Sequence, residues 1–87
     1  MKDLNEARLR LNEIDDKMKS LFIERMNTVK DIALYKKENN LPIFDAKREE
    51  EMKERLSKDT GELKGYYLAL LETILKESKE YQETIIK

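Results

Sequence analysis

Apolar side chains in the N-terminal part of the chain recur at spacings of three and four, the period of one face of an α-helix. They are Leu4, Ala7, Leu11, Ile14, Met18 and Leu21 and, after one interruption, Val29, Ile32 and Ala33. Asn39, Asn40 and Pro42 end the pattern, since Asn caps helices and the residue before Pro avoids the α region. The pattern predicts one uninterrupted helix from about Asp3 to about Glu38.

Two further helices are predicted downstream. The second runs from about Asp45, a suitable N-cap, to Ser57. Its thin apolar stripe comprises Phe44, Met52 and Leu56. A loop over residues 58–65, which holds both glycines, leads to a third helix from about Gly65 to Ile86. Its predicted buried side comprises Tyr67, Leu70, Leu71, Ile74, Leu75, Tyr81 and Ile85. The sequence therefore predicts an all-α chain with a very long first helix, a short second and a long third, in one domain over residues 1–87.

The length of the first helix indicates a partner. At a rise of ~1.5 Å per residue it would extend about 54 Å, whereas a compact domain of 87 residues has a diameter of roughly 31 Å. The apolar fraction of 39% is modest for a monomeric domain. We therefore expect two copies to complete one core as an intertwined helical homodimer.

Charge and composition exclude several classes of function. The net charge is −1, with acidic and basic residues interleaved, so nothing indicates a nucleic-acid or anionic-membrane partner. No stretch approaches eighteen apolar residues and the N-terminus has no apolar h-region, so we expect neither a membrane span nor a signal peptide. The chain has no Cys and no His. We therefore expect no disulfide, zinc or iron site and no histidine base, and a cytoplasmic location.

Arg25 interrupts the apolar stripe of the first helix. A guanidinium on a buried seam is costly unless an anion meets it. Lys36 lies eleven residues further on, within ~20° of the same direction and roughly 16 Å along the axis, so the two cations can flank one small molecule. The anion could be a carboxylate of the protein, with Glu24 or Asp31 of a partner helix available, or it could be a ligand.

Polar groups interrupt the other two helices as well. Asp45, Arg48 and Glu49 form one patch at the start of the second helix, and Ser78 and Gln82 continue the apolar row of the third as an i, i+4 pair. Taken singly, each has an ordinary role as a helix cap, a surface charge or an interface hydrogen bond. Taken together, they predict an enclosed site with excess positive charge, which suits a small dicarboxylate.

Arg8 predicts that this site is shared between chains. It lies roughly 25 Å along the helix from Arg25 and about 100° around it, so it cannot reach the same ligand from the same chain. In an antiparallel pairing of two long helices, Arg8 of one copy would approach the site of the other.

The polar positions, read in order, form one extended motif. It runs Arg8-x2-Leu11-x2-Ile14-Asp15, Glu24-Arg25, Lys36, Pro42-x2-Asp45-x2-Arg48-Glu49 and Ser78-x3-Gln82. This motif resembles that of the all-helical class of chorismate mutases, and the resemblance covers essentially the whole chain. It implies an intertwined homodimer with two sites, each built from both chains. The implied reaction is the intramolecular Claisen rearrangement of chorismate to prephenate, in phenylalanine and tyrosine biosynthesis, without a cofactor or metal.

The resemblance also implies a role for each polar residue. Arg8 of the partner subunit and Arg25 would hold the carboxylates of the substrate. Lys36 would contact a carboxylate and the ether oxygen of the breaking bond. Gln82 would donate to that same oxygen, with Ser78 nearby at a carboxylate.

The remaining implied contacts lie at the second helix. Glu49 and the backbone near Asp45 would bind the ring hydroxyl, and Arg48 would help to bind the ring carboxylate. A pericyclic rearrangement needs conformational restraint and donors aimed at the ether oxygen, so the chain requires no nucleophile for it.

Two alternatives remain open on the sequence. An isochorismate pyruvate lyase on the same fold would use nearly the same cations. A non-enzymatic helical dimerisation module would not need Arg25 or Lys36 at all.

Overall fold

The computed structural model describes residues 3–87, which form three helices joined by short connections. Helix α1 spans Leu4–Glu38, α2 spans Ala46–Leu56 and α3 spans Lys64–Ile86. The prediction of an all-α chain is confirmed, and every predicted helix end lies within one residue of the observed one. The loop predicted over residues 58–65 is partly wrong, because a 3₁₀ turn at Gly61–Leu63 and the start of α3 lie inside it. None of the three described helices combines the length and the apolarity needed to cross a membrane.

Local hydrogen bonds explain where α1 begins and ends. The carboxylate of Asp3 accepts a hydrogen bond from the backbone N–H of Asn5 at 3.3 Å, as an N-cap does. At the other end Asn40 has a φ of 53°, and the N–H of Leu41 donates to the carbonyl of Lys36 at 2.8 Å. This is the Schellman arrangement with Asn in the left-handed position. It turns the chain back across the last turn of α1, where Lys36 lies.

The start of α2 and the approach to α3 are also determined locally. Asp45 Oδ1 accepts a hydrogen bond from the backbone N–H of Arg48 at 3.0 Å, so Asp45 is the N-cap of α2 as predicted. After α2, Asp59 and Gly61 have φ values of 61° and 58°. Both lie in the left-handed region, which glycine adopts without strain. These residues reverse the chain so that α3 returns along α1 and α2.

The apolar core is small and lies around α3, which packs against both other helices. Its buried members are Val29, Ala33, Met52, Leu71 and Leu75. Leu56 packs against the part of this core that joins α2 to α3. The same buried row of α3 continues through Ser78 and Gln82, which are 4% and 7% exposed. The core therefore ends on polar side chains at one end of the helix bundle.

The N-terminal half of α1 keeps its apolar stripe exposed within the single chain. The exposed fractions are 62% for Leu4, 55% for Leu11, 51% for Met18 and 63% for Leu21. The molecule measures 54 × 24 × 14 Å and its radius of gyration is 16.3 Å, against about 12 Å for a compact domain of this size. The expectation that α1 is too long for its own monomer is therefore confirmed.

Three predicted core positions are wrong within the chain. Phe44, Leu70 and Ile32 are 56%, 43% and 45% exposed. Phe44 precedes α2 and so does not follow its helical stripe; its ring lies 4.7 Å from Lys79 Nζ instead. Leu70 lies on a flank of α3 that stays open to solvent, and Ile32 lines a cavity described below.

Candidate active site

A cavity of about 280 Å³ lies between the C-terminal halves of α1 and α3 and the start of α2. Its size is close to the lower end of the range for small-molecule pockets, roughly 300 to 1,000 Å³. Seven of the eight predicted site residues line it: Arg25, Lys36, Asp45, Arg48, Glu49, Ser78 and Gln82. The structure thus gathers side chains that are up to 57 positions apart in the sequence (Arg25 to Gln82).

Arg25 crosses from α1 to α3. Its Nη1 donates a hydrogen bond of 2.6 Å to Ser78 Oγ, and that hydroxyl donates in turn to the carbonyl of Ile74 at 2.7 Å. The Ser78 hydroxyl is therefore committed at the cavity wall and has no neighbouring base. This pair of bonds fixes the Arg25 guanidinium at one end of the cavity.

Lys36 and Gln82 lie together at the other end. Lys36 Nζ donates to the carbonyl of Ile43 at 2.8 Å and to Gln82 Oε1 at 3.4 Å. No hydrogen bond from Gln82 Nε2 to another described residue is present, and no fully buried side-chain nitrogen or oxygen lacks a partner within residues 3–87. The amide therefore presents its oxygen to Lys36 and keeps its N–H₂ group accessible as a donor.

Three cations of the cavity have no ion-pair partner within residues 3–87. Three ion pairs form among residues 3–87, and they are Arg10–Glu13, Lys53–Glu72 and Lys79–Glu49. Arg25, Lys36 and Arg48 belong to none of them. Arg25 thus has no ion pair with a carboxylate of its own chain among the described residues. Pairing with Glu24 or Asp31 of a partner helix stays a prediction.

The two acidic residues of the cavity already have partners. Asp45 Oδ1 caps α2, and Glu49 binds Lys79 Nζ through Oε2 at 3.1 Å and Oε1 at 3.3 Å. The backbone N–H leaves the charge of Asp45 in place, so the four cations and two carboxylates that line the cavity give it a net charge of +2. An anion from outside the chain can balance this charge.

Arg8 does not line this cavity in its own chain. It is exposed on the N-terminal half of α1, as expected from its distance of roughly 25 Å along the helix from Arg25. A second hollow, which shares Arg25 and Arg48 with the first, opens towards this half of α1 and is also lined by Leu21 and Glu24. The cavity is therefore open on the side where a partner helix could enter.

Sequence reasoning missed Lys79 and the apolar walls. Lys79 lines the cavity between Ser78 and Gln82 on α3, and Val29, Ile32 and Ile43 form part of its apolar surface. A lysine on the flank of a charged helix is indistinguishable by pattern from a solvated side chain.

The side chains that line the cavity indicate what kind of molecule it can bind. It places unpaired cations and two side-chain donors around a partly apolar cavity. The chain has no His and no Cys, and no group of acidic side chains within residues 3–87 is arranged to hold a metal ion. A lining of this kind suits a small anion, and it offers restraint and electrostatic donors in place of a nucleophile.

Comparison with known proteins gives the family. Residues 7–83 match the family described as chorismate mutase type II, so the chain belongs to that family. A protein of Methanocaldococcus jannaschii named "Chorismate mutase" is 38% identical over 55 residues, which are 63% of this chain and 56% of that protein. The match thus spans about half the length of this curated relative. No solved structure matches the chain.

Proposed function

We propose that the chain is a chorismate mutase, which converts chorismate to prephenate as one catalytic domain over residues 1–87. The observation that carries this proposal is the cavity in which Arg25, Lys36 and Arg48 have no ion-pair partner among residues 3–87. Chorismate is a dicarboxylate, and its two negative charges match the net charge of +2 of the cavity lining once Lys79, Asp45 and Glu49 are counted. The family membership of residues 7–83 supports the same conclusion.

The rearrangement suits a site without a nucleophile. The ether C–O bond of chorismate breaks while a C–C bond forms within the same molecule, so no proton or covalent intermediate passes through the protein. The enzyme has to hold the compact pseudo-diaxial conformer, which lowers the entropic part of the barrier. It also has to place donors where negative charge develops on the ether oxygen. Lys36 Nζ and Gln82 Nε2 are the donors that this geometry makes available.

The other polar residues serve binding in this proposal. Arg25, with Ser78 at its side, takes one carboxylate, and Arg48 supports the ring carboxylate. Glu49 and the backbone near Asp45 accept hydrogen bonds from the ring hydroxyl. The apolar walls exclude water, which strengthens each of these charged hydrogen bonds.

The proposed active form is a homodimer. The exposed stripe of α1 lies on the same half of the helix as Arg8, and burying that stripe against a second copy removes it from water. An antiparallel arrangement of two α1 helices then brings Arg8 of the partner subunit to the open side of the cavity. A cytoplasmic location stays a prediction from the composition.

Disrupting the stripe should separate the subunits. We expect sedimentation equilibrium to give twice the chain mass of 10.4 kDa for the unaltered protein and about the single mass for Met18→Glu, because a carboxylate would be buried without a partner. Ser20→Glu is the matched control, since it adds the same charge to the same helix about 200° around the axis and should remain dimeric. A Met18→Glu dimer of unaltered stability would contradict the proposed interface.

The proposed reaction is tested directly with purified protein. The chorismate absorbance should fall and prephenate should accumulate in proportion to enzyme. Incubation with isochorismate, followed by assays for salicylate and pyruvate, separates this activity from a lyase. No turnover of either substrate would leave the dimerisation module as the explanation and overturn the proposal.

A further inference from the structure

Lys79 lines the cavity and has no role in the mechanism described above. Its Nζ lies 3.1 Å from Glu49 Oε2 and 3.3 Å from Oε1, so both carboxylate oxygens share one ammonium. The same Nζ lies 4.7 Å from the centre of the Phe44 ring. The side chains of Lys79 and Glu49 are 31% and 15% exposed. The pair is thus shielded on most sides and joins α3 to the start of α2.

Glu49 is the acidic side chain of the cavity whose charge most needs a counterion. Asp45 receives a backbone N–H at its helix end, but Glu49 has Lys79 as its one hydrogen-bond donor among residues 3–87. A partly buried, uncompensated carboxylate would repel an approaching dianion. Because Lys79 Nζ contacts both carboxylate oxygens of Glu49, it also restricts the direction from which Glu49 can accept a hydrogen bond from a hydroxyl group.

We propose that Lys79 is a positioning residue for substrate binding: it neutralises Glu49 and orients its carboxylate towards the ring hydroxyl of the substrate. Lys79 acts through Glu49 and does not contact the substrate itself. This inference rests on the proposed chorismate mutase function. It predicts an effect on KM, with little effect on kcat, because Lys79 donates to Glu49 and forms no hydrogen bond with Lys36 or Gln82 within residues 3–87.

A second ion pair offers a matched control. Lys53 and Glu72 also connect α2 with α3, and the hydrogen bond that Lys53 donates to Glu72 raises the pKa of Lys53 above its ordinary value. Neither residue lines the cavity. If Lys79 merely fastened α2 to α3, loss of either lysine would have the same consequence.

The experiment measures chorismate turnover by Lys79→Met, Lys79→Arg and Lys53→Met. We expect Lys79→Met to raise KM about tenfold, because the negative charge of Glu49 would then repel the substrate without a counterion. We expect kcat to change less than about twofold. Lys79→Arg should restore most of the affinity because it keeps the charge, and Lys53→Met should leave KM unchanged. Thermal unfolding, followed by circular dichroism, reports any purely structural contribution.

The same substitution in a Glu49→Gln background tests whether Lys79 acts through Glu49. A neutral amide needs no counterion, so Lys79→Met should then change KM by less than about threefold. A tenfold rise in that background would mean that Lys79 attracts the substrate directly, and would overturn the inference. So would a normal KM for Lys79→Met, or equal losses in Lys79→Met and Lys53→Met. Inactive unaltered protein would overturn the proposed function and this inference together, whereas active protein with a normal Lys79→Met KM overturns this inference alone.

Discussion

Lys36→Met is expected to lower kcat for chorismate by about 10² to 10³, the usual loss on removing one donor from a developing oxyanion. Methionine has a similar length and keeps the apolar stem of the side chain, so the change removes mainly the charge and the donor. The lost donor is the one held against Gln82 Oε1 at 3.4 Å. Because negative charge on the ether oxygen is larger in the transition state than in the substrate, the loss should appear in kcat and not in KM alone.

Lys37→Met is the control for this substitution. Lys36 and Lys37 both lie in the last turn of α1, where each complements the helix dipole, but Lys37 is exposed and does not line the cavity. It should keep kcat and KM within about twofold of the unaltered protein. Lys36→Met also loses the hydrogen bond to the Ile43 carbonyl, so thermal unfolding must show that the variant is folded. A folded Lys36→Met enzyme with unaltered kcat would contradict the assigned role.

Local signals made the helices predictable from the sequence. Asp3 and Asp45 are side-chain caps that act within three residues of themselves, and Asn40 adopts the left-handed conformation that ends α1. Such signals depend on the chain within one turn and need no tertiary information. The start of α3 lacked a side-chain cap, and it is there that the predicted loop overran the 3₁₀ turn.

The members of the site were predictable where they broke an apolar pattern. Arg25, Ser78 and Gln82 each replace an apolar residue on a buried row, and a buried polar group calls for an explanation. Lys79 breaks no such row, and its importance depends on the approach of Glu49 from another helix. That approach is a tertiary fact, which periodicity cannot supply. The predicted role of each residue was likewise beyond the pattern and came from the family resemblance.

The exposed apolar residues of α1 and α3 show the same difference between local and tertiary information. The apolar stripe of α1 could be recognised from the sequence because helical periodicity is a local property, and it predicted a partner. The exposure of Leu4 and Leu21 within the single chain agrees with that prediction. Which side of α3 stays open was not local information. Leu70 follows the helical period of its buried neighbours and is nevertheless 43% exposed, because no other described helix covers that flank.

Gln82→Glu should yield an enzyme that is slow at neutral pH and faster in acid. The substituted carboxyl would replace an amide that lies 3.4 Å from Lys36 Nζ through its oxygen. The nearby ammonium favours the charged form of that carboxyl. At neutral pH the carboxylate has no proton to donate to the ether oxygen and opposes the charge that develops there, so turnover should fall by about 10² to 10³.

Lowering the pH restores the missing donor. Because kcat/KM reports the free enzyme, it should rise as the pH falls from about 8 to about 5, in proportion to the protonated fraction of the carboxyl. The unaltered amide does not titrate in this range, and Gln82→Ala, which has neither a donor nor a titrating group, should be slow at every pH. Circular dichroism at both limits checks that each variant stays folded. Equal activity of Gln82→Glu from about pH 5 to pH 8 would mean that position 82 does not donate a proton to the substrate oxygen, since an ionised carboxylate cannot form that hydrogen bond.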